Sequence, residues 1–147
     1  MNLRIPKIVD ILFCNAFQFR VKNCDKKDLF LTFDDGPIPE VTPKVLEMIK
    51  KYNAKATFFC VADNIRKHKE VFEQILKEGH KVGNHTYHHI GGFTHKNKVY
   101  YNDILHADEL IHSLLFRPPY GRLWFNQVKR LRKHNFRFIL WTKISFD

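Results

Sequence analysis

The sequence predicts a single α/β domain built on a parallel sheet that is open or forms an incomplete barrel. Short apolar runs alternate with amphipathic stretches, as expected where each strand is followed by a helix that returns the chain to the same sheet. Roughly five strands are visible, whereas a closed barrel of this type needs about eight strands and more than about 200 residues. The chain has 147 residues, which suits one hydrophobic core.

Short apolar runs bounded by turn signals are predicted to be strands. Gly36-Pro37 follows the first run, and Pro118-Pro119 ends the fourth, because proline cannot donate a hydrogen bond to the sheet. The run that ends at Asn84 has the weakest apolar pattern. In chain order, the predicted strands are Leu29–Phe33, Ala56–Val61, His80–Asn84, Leu114–Arg117 and Phe136–Trp141.

The amphipathic stretches between these runs are predicted to be helices. Thr42 is the predicted N-cap of the first helix, with Pro43 at its first position. Gly79 is the predicted C-terminal stop of the second helix, and Gly91-Gly92 places residues 90–94 in a loop. In chain order, the predicted helices are Thr42–Tyr52, Asn64–Glu78, Lys98–Ser113 and Phe125–His134.

Charge and cysteine content exclude several classes of protein. The formal net charge is +10, but the lysines are dispersed over the polar faces of predicted helices, so nucleic acid is not an expected partner. Cys14, Cys24 and Cys60 lack CxxC spacing and are predicted to be free thiols.

No transmembrane segment is predicted, although Ile5–Phe19 could lie on a membrane surface. No signal peptide is recognised, so the expected location is the cytoplasm or the periphery of an inner membrane.

Asp34 and Asp35 lie side by side, directly after the first predicted strand. Like charges so close together repel each other unless a cation or hydrogen-bond donors relieve the repulsion. The pair therefore indicates a bound cation, and a metal ion is the first candidate. The alternative is that one aspartate caps a helix and the other is solvated.

Other polar side chains also follow strand ends, and the carboxyl ends of parallel strands share one crevice. His85 and His89 have i,i+4 spacing, which in a helical turn places both imidazoles within reach of one ion. His88 is the nearest competing ligand, and chance proximity is the alternative in a chain with 9 histidines. The remaining residues at strand ends are Arg117, Tyr120, Trp141 and Asp147.

Three motifs, in order, resemble the signature motifs of the NodB-like polysaccharide deacetylases, carbohydrate esterase family four. They are Thr32-Phe33-Asp34-Asp35-Gly36-Pro37, Gly83-Asn84-His85-Thr86-Tyr87-His88-His89 and Phe116-Arg117-Pro118-Pro119-Tyr120-Gly121. The resemblance implies a distorted (β/α) barrel with its helices outside. It also implies an enzyme that hydrolyses the N-acetyl groups of an amino-sugar polymer, such as peptidoglycan or a chitin-like glycan. The implied cofactor is one divalent metal ion, most often zinc, with cobalt, nickel or manganese as alternatives.

The same resemblance assigns roles to individual residues. It makes Asp35, His85 and His89 the metal ligands and Asp34 the general base, with Arg117 holding Asp34 in place. The Tyr120 backbone N–H would stabilise the negative oxygen of the intermediate. The residues expected to contact the substrate are Pro119, Trp141 and Asp147.

The chain departs from the family pattern near its carboxyl end. Ile144 stands where many relatives carry an aspartate, and no Leu-x-x-His segment on a later strand supplies the general acid. The expectation is a truncated deacetylase domain at residues 29–147, after a helical or extended segment at 1–28, with weakened activity. The alternative is a non-catalytic relative that binds metal or glycan. An unpaired sheet edge beside the last strand, covered in an oligomer, is also expected.

Overall fold

A computed structural model describes residues 17–18 and 28–144. Within them, six parallel strands form one curled sheet, an incomplete barrel with helices around it, in the order β1-β6-β5-β4-β3-β2. The strands are β1 (Phe17–Gln18), β2 (Leu31–Phe33), β3 (Ala56–Cys60), β4 (Lys81–Asn84), β5 (Leu115–Phe116) and β6 (Arg137–Ile139). The helices are α1 (Thr42–Lys51), α2 (Ala62–Lys67), α3 (Lys69–Lys77), α4 (Asn97–Ile111), a 3₁₀ turn at Pro119–Gly121, and α5 (Phe125–Arg132).

The predicted α/β class and incomplete barrel are confirmed, but the sheet has one strand more than expected. Phe17 pairs with Phe138 and Gln18 with Ile139, so β1 adds to the sheet beside β6. The Leu140 N–H also donates to the Gln18 carbonyl at 3.0 Å. The predicted unpaired edge beside the last strand is therefore wrong, and the expectation of an oligomer loses its basis. A strand of two residues is too short to show a periodic pattern.

Two local predictions also differ from the structure. The first strand begins at Leu31, because Leu29 and Phe30 are exposed and not paired with β3. The single helix predicted over Asn64–Glu78 is divided into α2 and α3, since His68 adopts φ −133° and ψ 54°, outside the helical region.

The prediction that Thr42 is the N-cap is also wrong, because Thr42 is the first residue of α1 and Val41 is the N-cap. The Thr42 hydroxyl accepts a hydrogen bond from the Ile38 N–H at 2.9 Å. The threonine therefore fixes the loop that enters the helix and does not cap its free N–H groups. Pro43 lies in the first turn of α1, where its missing N–H has no cost.

The core consists of two clusters that share α4. One lies between β3 and helices α1 to α4, and its buried members include Leu46, Phe58, Ile75 and Ile111. The other lies between β5, β6, α4 and α5, and its buried members include Tyr100, Phe116, Leu131 and Phe138. Because α4 packs on both, it links the two halves of the sheet. Among the residues that the structure describes, every helix is too short or too polar to cross a bilayer.

Gly83 in β4 permits the closest packing inside the sheet. A Cβ atom at this position would lie 2.5 Å from the ring of the buried Phe59 and 3.2 Å from the Leu115 carbonyl oxygen. We expect Gly83→Ala to lower the free energy of unfolding by roughly 1 to 3 kcal/mol, because neither neighbour can move freely. Urea denaturation measures this, with Lys81→Ala on the exposed end of the same strand as the control. An unchanged midpoint for Gly83→Ala would contradict the packing described.

Candidate metal site

Three candidate ligand atoms converge at the carboxyl ends of β2 and β4. Asp35 Oδ1 lies 3.3 Å from His85 Nε2 and 3.0 Å from His89 Nε2. The ligand atoms of the three residues all lie within 4.8 Å of one another. Two imidazoles and one carboxylate at this separation match the donor set of catalytic zinc sites with an open position. The set is the only group of this kind among the described residues.

The Asp35 carboxylate is placed by a left-handed backbone conformation directly after β2. Asp35 has φ 67°, a region that aspartate tolerates better than most residues. Its carbonyl oxygen accepts a hydrogen bond from the side-chain amide of Asn64 at 2.8 Å. The start of α2 therefore fixes the orientation of the Asp35 carboxylate toward the two histidines.

His85 is the buried ligand candidate, with 3% of its side chain exposed. Its backbone N–H donates to the Cys60 carbonyl at 2.9 Å. Its Nδ1 lies 2.7 Å from the Arg117 carbonyl oxygen and donates to it, so Nε2 is the ring nitrogen that faces Asp35 and would bind a cation. A carbonyl that orients a ligand histidine in this way is a common feature of metal sites.

The segment between the two histidines is not the helical turn that the i,i+4 spacing predicted. Thr86 has φ 68° and His89 has φ 55°, both in the left-handed region. The Asn84 side chain accepts the Thr86 N–H at 2.9 Å, and the buried Thr86 hydroxyl accepts the Ile90 N–H at 3.2 Å. These bonds hold a tight loop that brings the two rings to 5.1 Å between centroids.

The contacts among these side chains also shift the pKa values of Asp35 and His89. Hydrogen bonds from His85 and then His89 hold the pKa of the Asp35 carboxyl well below its usual range, although burial opposes the shift. The contact with Asp35 raises the pKa of His89. The carboxylate is therefore the ionised form that a cation requires.

Arg117 holds Asp34 beside this group. The Arg117 side chain is 2% exposed, and its Nη1 donates to Asp34 Oδ1 at 2.6 Å and to the Thr32 hydroxyl at 2.8 Å. Its Nε donates to the Ile139 carbonyl at 3.0 Å, and its guanidinium lies 4.1 Å from the centroid of the Phe59 ring. Burial lowers the pKa of Arg117, while Asp34 opposes that shift. The Asp34 carboxylate is thus oriented by a rigid cation.

The other predicted site residues lie around the same crevice, with one exception. Tyr120 has φ 61° and is 65% exposed, and its ring packs edge-on against His89 at 5.1 Å between centroids. Pro119 is buried in the 3₁₀ turn. The Trp141 ring centroid lies 5.4 Å from the Arg117 guanidinium. Asp147 lies outside the described residues.

His88, the competing ligand, turns away from the three converging atoms. Its Nδ1 lies 2.6 Å from Asp103 Oδ1. Asp103 Oδ2 also accepts the backbone N–H groups of Tyr87 at 2.8 Å and of His88 at 3.1 Å. One carboxylate from α4 therefore positions the loop that carries both candidate ligand histidines.

Asp103 and Asn84 were missed as site-supporting residues by the sequence reasoning. A signal for Asp103 was available, because it lies on the same helical face as Tyr100 and Ala107, which are buried. An acidic residue on a buried stripe needs a hydrogen-bonded partner.

A cleft of about 340 Å³ opens beside the converging atoms. Its lining residues are Asp35, Ile38, Val61, Asp63, Asn64, His88 and His89. Cys60 lies below this region as a buried free thiol, and burial raises the pKa of that thiol to about 12. It is therefore a neutral core residue. Cys14 and Cys24 lie outside the described residues.

An incomplete (β/α) barrel with an Asp-His-His group at its carboxyl end is the architecture that the motifs implied. The family profile described as polysaccharide deacetylase matches residues 21–139. The chain therefore belongs to the polysaccharide deacetylase family.

Individual relatives agree with this assignment. The chain is 38% identical over 129 residues to a peptidoglycan-N-acetylglucosamine deacetylase of Bacillus cereus, covering 84% of this chain and 47% of the relative. It is 36% identical over 103 residues to the peptidoglycan-N-acetylmuramic acid deacetylase PdaC of Bacillus subtilis, covering 66% of this chain and 22% of the relative. The chain thus spans about half the length, or less, of these relatives.

Solved structures show the same fold. The crystal structure of the Bc1960 peptidoglycan N-acetylglucosamine deacetylase aligns with a TM-score of 0.79 at 37% identity, covering 84% of this chain and 60% of that one. The structure of PdaC from Bacillus subtilis aligns with a TM-score of 0.67 at 32% identity, covering 76% of this chain and 56% of that one.

Replacing Asp103 tests whether it positions the ligand loop. Asp103→Ala leaves the Tyr87 and His88 N–H groups without their acceptor, so we expect a loss of roughly 1 to 3 kcal/mol in unfolding free energy. We also expect zinc to bind roughly 10- to 100-fold more weakly, as for other supporting partners of metal ligands. Urea denaturation and calorimetric titration measure the two effects. Glu109→Ala on the exposed face of α4 is the control, and an unchanged zinc affinity in Asp103→Ala would exclude the positioning role.

Proposed function

We propose that this chain takes part in the hydrolysis of N-acetyl groups from amino sugars of an envelope glycan, with peptidoglycan as the first candidate substrate. The observation that carries the proposal is the convergence of Asp35, His85 and His89 next to an Asp34 carboxylate held by Arg117. A candidate metal-binding group and a second carboxylate that is not a ligand, at one crevice, are two parts that can together support amide hydrolysis by water.

The donor set fits one divalent metal ion as the cofactor. Two imidazole nitrogens and one carboxylate oxygen suit zinc, and cobalt, nickel and manganese also accept such ligands. Asp35, His85 and His89 would hold the ion. When bound, the ion supplies Lewis acidity toward a carbonyl oxygen and makes water a better nucleophile near neutral pH.

Asp34 is proposed as the general base that accepts the proton of the attacking water. Arg117 occupies one of its oxygens at 2.6 Å, so the other oxygen is available for the proton. The same contact fixes the orientation of the Asp34 carboxylate that is proposed to accept the proton. The non-catalytic alternative is not favoured, because Asp34 and Arg117 are in contact beside the ligand group.

Tyr120 and its neighbours are proposed to bind the reacting acetyl group. The left-handed turn at Tyr120 lies against His89, so its backbone N–H can donate to the oxygen that becomes negative. Trp141 and Pro119 would line the pocket for the acetyl methyl group.

The relatives favour peptidoglycan as the polymer. Both curated relatives described above are named as peptidoglycan deacetylases, one for N-acetylglucosamine and one for N-acetylmuramic acid. We propose N-acetylglucosamine as the sugar. The Bacillus cereus relative, whose match covers 84% of this chain, is named for that sugar.

Asp34→Asn tests the proposed base. Without a carboxylate to accept the proton, we expect acetate release from peptidoglycan or N-acetylglucosamine oligomers to fall roughly 10²- to 10⁴-fold. Zinc affinity should stay close to that of the unaltered chain, because Asp34 is not a proposed ligand. The measurement is acetate released by zinc-loaded protein, compared with a metal-free sample.

Asp63→Asn is the matched control, because Asp63 lies in the same cleft but pairs with Lys67. The proposal is wrong if zinc-loaded protein releases no acetate above the metal-free sample from any of these substrates, or if Asp34→Asn retains full turnover.

A further inference from the structure

Two exposed aromatic side chains, Phe93 and Trp124, stack on each other next to the candidate metal site. The rings of Phe93 and Trp124 are stacked, with centroids 4.4 Å apart and an angle of 26° between their planes. Their exposed fractions are 46% and 52%. Contiguous apolar surface that remains exposed is a common feature of binding sites. We call this pair the aromatic platform.

The platform is held in place by a buried polar side chain. Gln127 of α5 is 5% exposed. Its Oε1 accepts the Trp124 backbone N–H at 2.9 Å, and its Nε2 donates to the Gly92 carbonyl at 2.8 Å and to Asn97 Oδ1 at 2.9 Å. One amide thus ties the loop that carries Phe93 to the segment that carries Trp124. A surface fixed before binding loses little conformational freedom on binding.

Gly91 and Gly92 make this close approach possible. A Cβ atom on Gly92 would lie 2.7 Å from Gln127 Oε1 and 2.9 Å from the Arg122 carbonyl oxygen. A Cβ atom on Gly91 would lie 3.3 Å from the Tyr120 ring. The two glycines therefore allow the loop to pack closely against its neighbours, which brings Phe93 into contact with Trp124.

Both segments that carry the platform residues begin at the candidate metal site. Phe93 follows the proposed ligand His89 by four residues, and Trp124 follows Tyr120 by four. Tyr120 packs against both Gly91 and His89, so it lies between the platform and the three converging atoms. A ligand that extends from the candidate metal site past Tyr120 toward Phe93 and Trp124 would therefore contact these two rings.

We propose that the aromatic platform binds a pyranose ring of the glycan chain, one that neighbours the sugar undergoing deacetylation. This inference rests on the proposed function, because a polymeric substrate must continue outside the metal site. The C–H face of a pyranose is flat and apolar, whereas its edge is ringed by hydroxyl groups. Such a face stacks on a partly exposed aromatic ring, so the pyranose would lie on a face of Phe93 or Trp124 that the other ring does not cover.

Binding of N-acetylglucosamine oligomers tests the proposal. Calorimetric titration uses the zinc-loaded full chain carrying Asp34→Asn, so that turnover does not consume the ligand. We expect Trp124→Ala and Phe93→Ala each to weaken binding of the pentamer roughly 3- to 10-fold. Trp124→Phe should restore most of the affinity, because it retains a ring for stacking. Thermal unfolding of each variant checks that the fold is retained.

Tyr52→Ala is the matched control, since Tyr52 is an aromatic side chain that is 80% exposed at the end of α1, away from the carboxyl ends of the strands. The proposal is overturned if the pentamer does not bind, if both alanine variants bind it as tightly as the parent, or if Tyr52→Ala weakens binding equally. If acetate release and glycan binding do not depend on Phe93 or Trp124, the proposed function stands and only the role of the platform is rejected. If glycan binding depends on the platform but no acetate is released, the role of the platform stands and the proposed function is rejected.

Discussion

A single buried guanidinium connects the fold to the site. Arg117 extends from the end of β5 and contacts Asp34 beyond β2 and the Ile139 carbonyl in β6. β2 and β5 are separated by two strands in the sheet order, so this contact requires the sheet to curl. Removing one partner of such a buried pair typically costs about 3 to 5 kcal/mol. The curvature and the placement of Asp34 therefore depend on the same interaction.

The convergence of the candidate metal ligands is a second consequence of this curvature. Asp35 follows Asp34 directly, and the Arg117 carbonyl orients His85, so one residue acts on both parts of the site through different groups. Tight left-handed turns at Asp35, Thr86 and His89 complete the arrangement. The aromatic platform extends this crevice outward, where a polymeric substrate would continue.

Much of this architecture could be predicted from the sequence, because strand and helix patterns are local. The alternation of runs gave the parallel sheet, and the strand-end rule placed Asp34, His85 and Arg117 at one crevice. The features that the sequence does not predict depend on contacts between distant segments. β1 is too short to show a pattern, and the break at His68 has no proline or glycine to mark it. Asp103 could be recognised as an acidic residue on a buried helical face, but not its partner, because the loop that it holds lies 15 residues earlier in the chain.

Zinc titration of the metal-free chain tests the central claim most directly. The account predicts one ion per chain, with affinity that falls at least about tenfold in Asp35→Ala and in His89→Ala. His88→Ala should bind zinc nearly as well as the unaltered chain, because its ring contacts Asp103 and not the ligand group. If Asp35→Ala bound zinc as tightly as the unaltered chain, or if His88→Ala alone abolished binding, the site described here would be wrong.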